Sequence, residues 1–196
     1  KVRYLGASSM MAWEFSKALH LQEANGWARF VSMQDSYNLL AREEEHEMLP
    51  LCSDKGVQTI VYSPLARGRL ARPWGERTPR AEAELAHAGL YAATADSDRK
   101  IVDAVGKVAG ERGVSHAQIA FAWLRRNPVV AAPIVGVLKA RHIDDAIAAL
   151  AITLTDEEAS RLQAHYTPRH DTQGVSNPAM LVRAAEAATG FSASAS

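Results

Sequence analysis

Four times along this chain a short β-branched or apolar run gives way to a longer stretch with helical spacing. That alternation limits the fold more than any other feature. The predicted strands are Val2 to Ala7, Phe30 to Gln34, Gln58 to Tyr62 and Val130 to Val137. A helix from Met11 to Asn25 follows the first, with Trp13, Phe15, Ala18, Leu19 and Leu21 at helical spacing. One from about Arg42 to Lys55, stopped by Gly56, follows the second. A long excursion rich in Arg, Pro, Gly and Ala, from Arg67 to about Ala95, reads as loop. Two helices come next: Ile101, Val105, Val108 and Ala109 stripe one, and Ser115-His116-Ala117-Gln118 opens the other as a capping box, with Ile119, Trp123 and Leu124 inward. Arg141 to Leu150 is predicted helical, and Thr155-Asp156-Glu157-Glu158 caps a last helix running to about Tyr166. Four β-then-α units in series imply a parallel sheet with right-handed crossovers. A doubly wound sheet and a section of a (β/α)8 barrel both satisfy that pattern. A dinucleotide-binding doubly wound fold would carry Gly-x-Gly-x-x-Gly after its first strand, and Gly6-Ala7-Ser8-Ser9-Met10-Met11 lacks it.

Lys plus Arg and Asp plus Glu both number 22, so the formal net charge is zero and no broad nucleic-acid or anionic-membrane surface is expected. The longest apolar run, Val129 to Leu138, is broken by Pro133 and is too short for a membrane span. The single cysteine, Cys52, excludes an internal disulfide, fits a reducing, cytoplasmic setting, and has no paired base that would make it a nucleophile. The chain opens inside a strand-like segment without an initiator Met, and so reads as the back portion of a larger enzyme. Residues 1–168 are expected to form the folded unit. The stretch 169–196 lacks apolar periodicity and reads as a partly disordered tail.

The third predicted strand ends abruptly in Tyr62-Ser63-Pro64-Leu65-Ala66-Arg67-Gly68. In α/β barrels ligands bind at the carboxyl ends of strands. This loop offers an aromatic face, a hydroxyl, a glycine and, with Arg69, two guanidinium groups, which together suit a nucleotide with phosphates. By contrast, Glu43-Glu44-Glu45-His46-Glu47 is not a metal cluster. Successive helical residues point about 100° apart and cannot converge on one ion. His20, His87, His116, His165 and His170 have no ligand spacing. Trp13, Trp27 and Trp123 are expected in the core, with Trp74 at the border of a substrate mouth.

Together, several segments resemble the aldo-keto reductase family. They are Lys1 to Ser9; Gln34 with Tyr37-Asn38-Leu39-Leu40 and Arg42; Glu47-Met48-Leu49-Pro50-Leu51-Cys52; Tyr62 to Gly68; and Pro133-Ile134-Val135-Gly136 leading into His142-Ile143-Asp144-Asp145. The likeness covers roughly residues 1–168, with the Tyr62 to Gly68 loop its strongest part. It implies a (β/α)8 barrel of TIM type, of which this chain holds strands five to eight, that reduces carbonyls with NADPH.

The resemblance places Ser8, Ser9 and Gln34 on the nicotinamide carboxamide and Tyr62 against the nicotinamide ring. Ser63, Pro64, Leu65, Arg67 and Gly68 would follow the pyrophosphate. Gly136, Lys139 and His142, with Arg141, would surround the adenosine 2′-phosphate, and Asp145 would sit near the adenine. The chain departs from the family at Ser9, where Asn is usual, at Ala146, where Asn often contacts adenine, and at Leu138, where a polar residue is frequent.

The family's acid is a tyrosine five residues after an aspartate, supported by a lysine and a histidine. No Asp here has a Tyr at plus five, so no catalytic residue is assigned. The expected substrate is an aldehyde or ketone. The alternative is a non-catalytic nucleotide-binding or interaction module, a possible homo-oligomer that pairs through unpaired sheet edges.

Overall fold

A computed structural model describes residues 1–76 and 94–169. The four strands are β1 (Leu5–Ser8), β2 (Phe30–Ser36), β3 (Gln58–Tyr62) and β4 (Val130–Pro133). They form one parallel sheet in the order β1-β2-β3-β4. A doubly wound sheet reverses its strand order at a switch point. Here every strand lies beside its successor with no reversal, the order of an arc of a (β/α)8 barrel. This removes the ambiguity left by alternation alone.

The helices are α1 (Ala12–Ala24), α2 (Met48–Lys55), α3 (Ala95–Arg112), α4 (His116–Leu124), α5 (Ala140–Ala148) and α6 (Asp156–Gln163). They cover one face of the sheet in two apolar clusters. Phe15 and Leu19 of α1 meet Met33 of β2, Met48 and Cys52 of α2, and Val57. Val61 of β3 joins Leu39, Leu40 and the inward residues of α3 and α4, among them Ile101, Val105, Ile119 and Trp123. The Ser115 capping box at α4 and the Thr155 box at α6 both form as the sequence predicts.

Several expectations are corrected. Trp13 and Trp27 are exposed: Phe15 and Leu19 define the packed side of α1 and Trp13 points away from it, while Trp27 lies in the loop between α1 and β2. The second helix begins only at Met48, after a 3-10 turn over Glu43–Glu45. The loop after β3 contains a compact 3-10 segment, Ala66–Ala71. Residues 77–93 and 170–196, with His87 and nearly all of the expected tail, lie outside the described residues. Arg169, the first residue of that tail, is buried and anchored.

Candidate cofactor site

Residues paired across parallel strands lie side by side on one face. Met33 and Val61 face the helices, so their neighbours Gln34 and Tyr62 face the open side of the sheet. The register then builds rows. Ser8 stands opposite Gln34, Gln34 opposite Ile60, and Ile60 opposite Ala132. One step toward the carboxyl ends, Ser36 stands opposite Tyr62. The open face is therefore polar over β1 and β2 and ends in a half-buried phenol on β3.

Hydrogen bonds draw four of the expected residues together. Ser8 Oγ donates to the Gln34 carbonyl at 3.0 Å, and the Ser9 N–H donates to the same carbonyl at 3.1 Å. Ser9 Oγ lies 3.3 Å from Ser8 Oγ and donates to the Tyr62 hydroxyl at 3.5 Å. Ser8, Ser9, Gln34 and Tyr62 thus meet at the tips of three adjacent strands.

The loops leaving these tips are wound unusually. Among the described residues the non-glycine positions with positive φ are Ser9, Ser63, Ala66 and Arg67, at 49°, 53°, 47° and 55°. All four belong to the predicted site loops. Left-handed backbone costs a side-chain-bearing residue about 1–2 kcal/mol, so such strain is held only where surrounding structure imposes it. Gly68 continues the turn at φ 90°, and a Cβ there would lie 2.5 Å from Arg72 Nη2. The Ala66 N–H returns to the Ser63 carbonyl at 2.9 Å and the Gly68 N–H to Leu65 at 2.8 Å. Pro64 is buried, Leu65 half-buried, and the Arg67 side chain projects outward.

Asn38, which the sequence reading did not assign to the site, braces this loop. Fully buried after β2, it donates Nδ2 to the Ser63 carbonyl at 2.9 Å and accepts from the Leu40 N–H at 2.8 Å. The recoverable signal was an Asn directly before an apolar pair, where Asx turns form. Ser36 was also unassigned. Its Oγ is buried beside Tyr62 and has no hydrogen-bond partner among the described residues.

The β4 side is a second group. Gly136, Lys139 and Arg141 are exposed. His142 Nδ1 accepts from the Leu138 N–H at 3.3 Å, and the His142 N–H donates to the Lys139 carbonyl at 3.0 Å. Asp145 Oδ1 accepts from Ser115 Oγ at 2.9 Å and Gln118 Nε2 at 2.8 Å, tying α5 to the start of α4. The β3–β4 pairing links this group to the strand that carries Tyr62, where the Ile134 N–H donates to the Val61 carbonyl at 2.8 Å.

Two other tyrosines have their hydroxyl protons already engaged by carboxylates. Tyr37 donates to Glu45 at 2.7 Å and Tyr166 to Glu43 at 2.6 Å. Burial, then the facing carboxylate, pushes both phenols above their ordinary range. Trp74 is partly buried against the larger apolar cluster, with the Arg69 guanidinium 5.6 Å from its ring. Among the described residues no group of three or more His, Cys, Asp or Glu could hold a metal ion.

The model of the Aldo/keto reductase family matches residues 1–167. Versiconal hemiacetal acetate reductase of Aspergillus parasiticus is 45% identical over 171 residues, 86% of this chain and 50% of its own length. An aldo-keto reductase of Fusarium vanettenii is 41% identical over 169 residues, 86% of this chain and 45% of its own. The aldo-keto reductase AMT2 of Alternaria alternata is 43% identical over 166 residues, 85% of this chain and 44% of its own. The chain therefore spans about half the length of the curated relatives it matches.

Proposed function

The chain belongs to the aldo/keto reductase family, and from that premise we propose that it carries the cofactor-holding half of an NADP(H)-dependent carbonyl reductase. The observation that carries this reading is the convergence of Ser8, Ser9, Gln34 and Tyr62 at three adjacent strand tips. The residues fit the group. The unbonded, buried Ser36 Oγ leaves a polar position beside the phenol, and the left-handed turn from Ala66 to Gly68 lets backbone approach closely.

A reduced nicotinamide supplies hydride when bound. Everything else here is positioning. Tyr62 offers a flat face that exposes one side of the ring, and Ser8, Ser9 and Gln34 address its amide. Arg67 meets the pyrophosphate as an exposed cation, and Lys139, Arg141 and His142 meet the 2′-phosphate, with Gly136 giving room and Asp145 bordering the adenine. The 2′-phosphate contacts favour NADP over NAD. The carbonyl substrate, an aldehyde or ketone, would not receive its proton from Tyr37 or Tyr166, whose hydroxyls are engaged by carboxylates.

Titration with NADPH, followed by nicotinamide fluorescence, tests the reading. Saturable binding is expected, weakened about tenfold or more by Tyr62→Ala and little changed by Tyr62→Phe. Lys139→Ala should weaken NADP(H) more than NAD(H). No oxidation of NADPH by a reactive aldehyde is expected from the chain alone. Absence of binding, or equal binding by Tyr62→Ala, rejects the cofactor role.

A second reading rests on the two outer strands. Among the described residues β1 pairs only with β2 and β4 only with β3. Tyr4 and Leu5 beside β1 and Ile134 beside β4 are exposed, as are Ile143 and Ile147 of α5 and Leu150 just after it. An interaction module that pairs through these edges would be a stable dimer by light scattering, and a monomer with slowly exchanging edge amides would dismiss it.

A further inference from the structure

Lys139 caps α5, and Arg141 and His142 stand in its first turn, yet no residue of α5 is buried. Ile143 and Ile147 are exposed, and Ala146 packs at the margin of the larger apolar cluster. Apolar burial, the usual support of a short helix, does little to hold this one. Its far end is pinned separately. Ala149 is buried, and Arg125 Nη1 donates to the Ala149 and Leu150 carbonyls at 3.2 and 2.7 Å.

Nearer its start the helix is tied at Asp145, whose Oδ1 accepts from Ser115 Oγ at 2.9 Å and from Gln118 Nε2 at 2.8 Å. Asp145 follows Arg141 by four residues and His142 by three, so the three share one side of the helix. Both donors belong to the capping box of α4. Within the box, Ser115 Oγ accepts from the Gln118 N–H at 3.2 Å, and Gln118 Oε1 accepts from the Ser115 N–H at 3.4 Å. Each side chain thus spends an acceptor on the cap and turns a donor outward to Asp145. A capping box is satisfied by Glu as well as by Gln. A carboxylate at that position would lack the donor and would face Asp145 with like charge. The glutamine serves α5 as well as the cap.

We propose that Ser115 and Gln118 are positioning residues: through Asp145 they latch the start of α5 to α4 and fix where Lys139, Arg141 and His142 stand. The inference rests on reading those three as the 2′-phosphate site. It gives Asp145 a duty at Oδ1 that is separate from any contact with adenine.

Gln118→Glu tests the latch, since it keeps the cap and removes the donor. Amide hydrogen exchange of the free chain reads it without any cofactor. Protection of the α5 amides should fall about tenfold or more while that of α4 is unchanged. Adding Asp145→Asn to Gln118→Glu reverses donor and acceptor across the contact and should restore protection of α5. Unchanged α5 protection in Gln118→Glu, or no recovery in the double variant, overturns the latch. Should Gln118→Glu not fold, Asp145→Ala, which leaves the box whole, decides: α5 loosened alone supports the latch, and α5 unaffected overturns it. Titrations with NADPH and NADH read the positioning role. In Gln118→Glu the dissociation constant for NADPH should rise about threefold or more, and that for NADH by less. An equal rise for both overturns the positioning role. Absence of NADPH binding by the unmodified chain rejects the cofactor reading instead, and the exchange result still decides the latch.

Discussion

Arg169 and Asp98 bring opposite charges to a place that water hardly reaches, at 3% and 2% side-chain exposure. Arg169 Nη2 donates to both Asp98 oxygens, at 2.7 and 2.6 Å, and Nε donates to the Leu40 carbonyl at 2.6 Å. Its N–H donates to Glu43, which also accepts from Tyr166. The Arg42 guanidinium, 4.9 Å from the Tyr166 ring and 5.5 Å from that of Trp123, completes the cluster. Removing one member of such a pair strands the other charge, at a typical cost of about 3–5 kcal/mol. Arg169→Met is expected to lower unfolding stability by that amount, and Asp98→Asn somewhat less because the amide still accepts. Urea unfolding measures both. A loss below about 1 kcal/mol in Arg169→Met would show that the pair adds little. Sequence patterning hides this anchor. Arg169 follows Pro168 just past the last predicted helix, where a surface arginine is the ordinary expectation.

At the scale of elements, the legible parts were those with a local signature. The Ser115 box is one: Ser115 Oγ accepts from the Gln118 N–H at 3.2 Å while donating to Asp145. Ser115→Ala removes a cap and an acceptor's partner together, so a loss of about 1–2 kcal/mol is expected, seen as a lower urea midpoint at unchanged slope. An unchanged midpoint would mean that Gln118 and water replace the hydroxyl. The central strand β3 was read to the residue and β2 to within two, since each is a short run bounded by turn residues and paired on both sides. The outer strands were read too long, β4 most of all. Its run to Val137 is apolar, but backbone pairing with β3 ends at Pro133. Trp13 failed for a different reason, and Trp27 lies beyond α1 in the loop before β2. Helical spacing identifies residues that share a face but not which face the sheet covers, and Trp13 lies about 160° around the helix from Phe15. Asp35 was invisible, since an acidic residue inside a strand looks like the solvent side of an alternating pattern. Only the register shows that Gln34, one residue earlier, took the open side.

For the molecule as a whole, the balance between the buried acids and the surface pairs sets how stability responds to pH. Asp35 and Glu44 have folded pKa values raised above their ordinary ones, from 3.8 to about 6 and from 4.5 to about 8. The folded chain therefore binds protons more tightly than the unfolded chain. Their contribution to stability is fully present below about pH 4 and is lost as pH rises through 6 and then 8. For Asp35 alone the loss is about 3 kcal/mol at 1.36 kcal/mol per unit. Glu158 runs the other way. Its hydrogen bond from Arg112, against a smaller effect of burial, brings it down to about 2, so its contribution persists above pH 4.5 and fades only in stronger acid. His116 is lowered by burial and packs against Gly106. Its penalty for charging favours the folded state more as pH rises through its ordinary range, opposing the two acids in part. Between pH 5 and 8 the acids outweigh one half-buried imidazole. The urea midpoint is expected to be highest near pH 5 and to fall toward pH 8. Asp35→Asn, which cannot ionise, should raise the midpoint at pH 8 and leave it nearly unchanged at pH 4. A midpoint that climbs from pH 5 to 8, or an Asp35→Asn variant with the slope of the unmodified chain, would show that the carboxylate is solvated despite its burial.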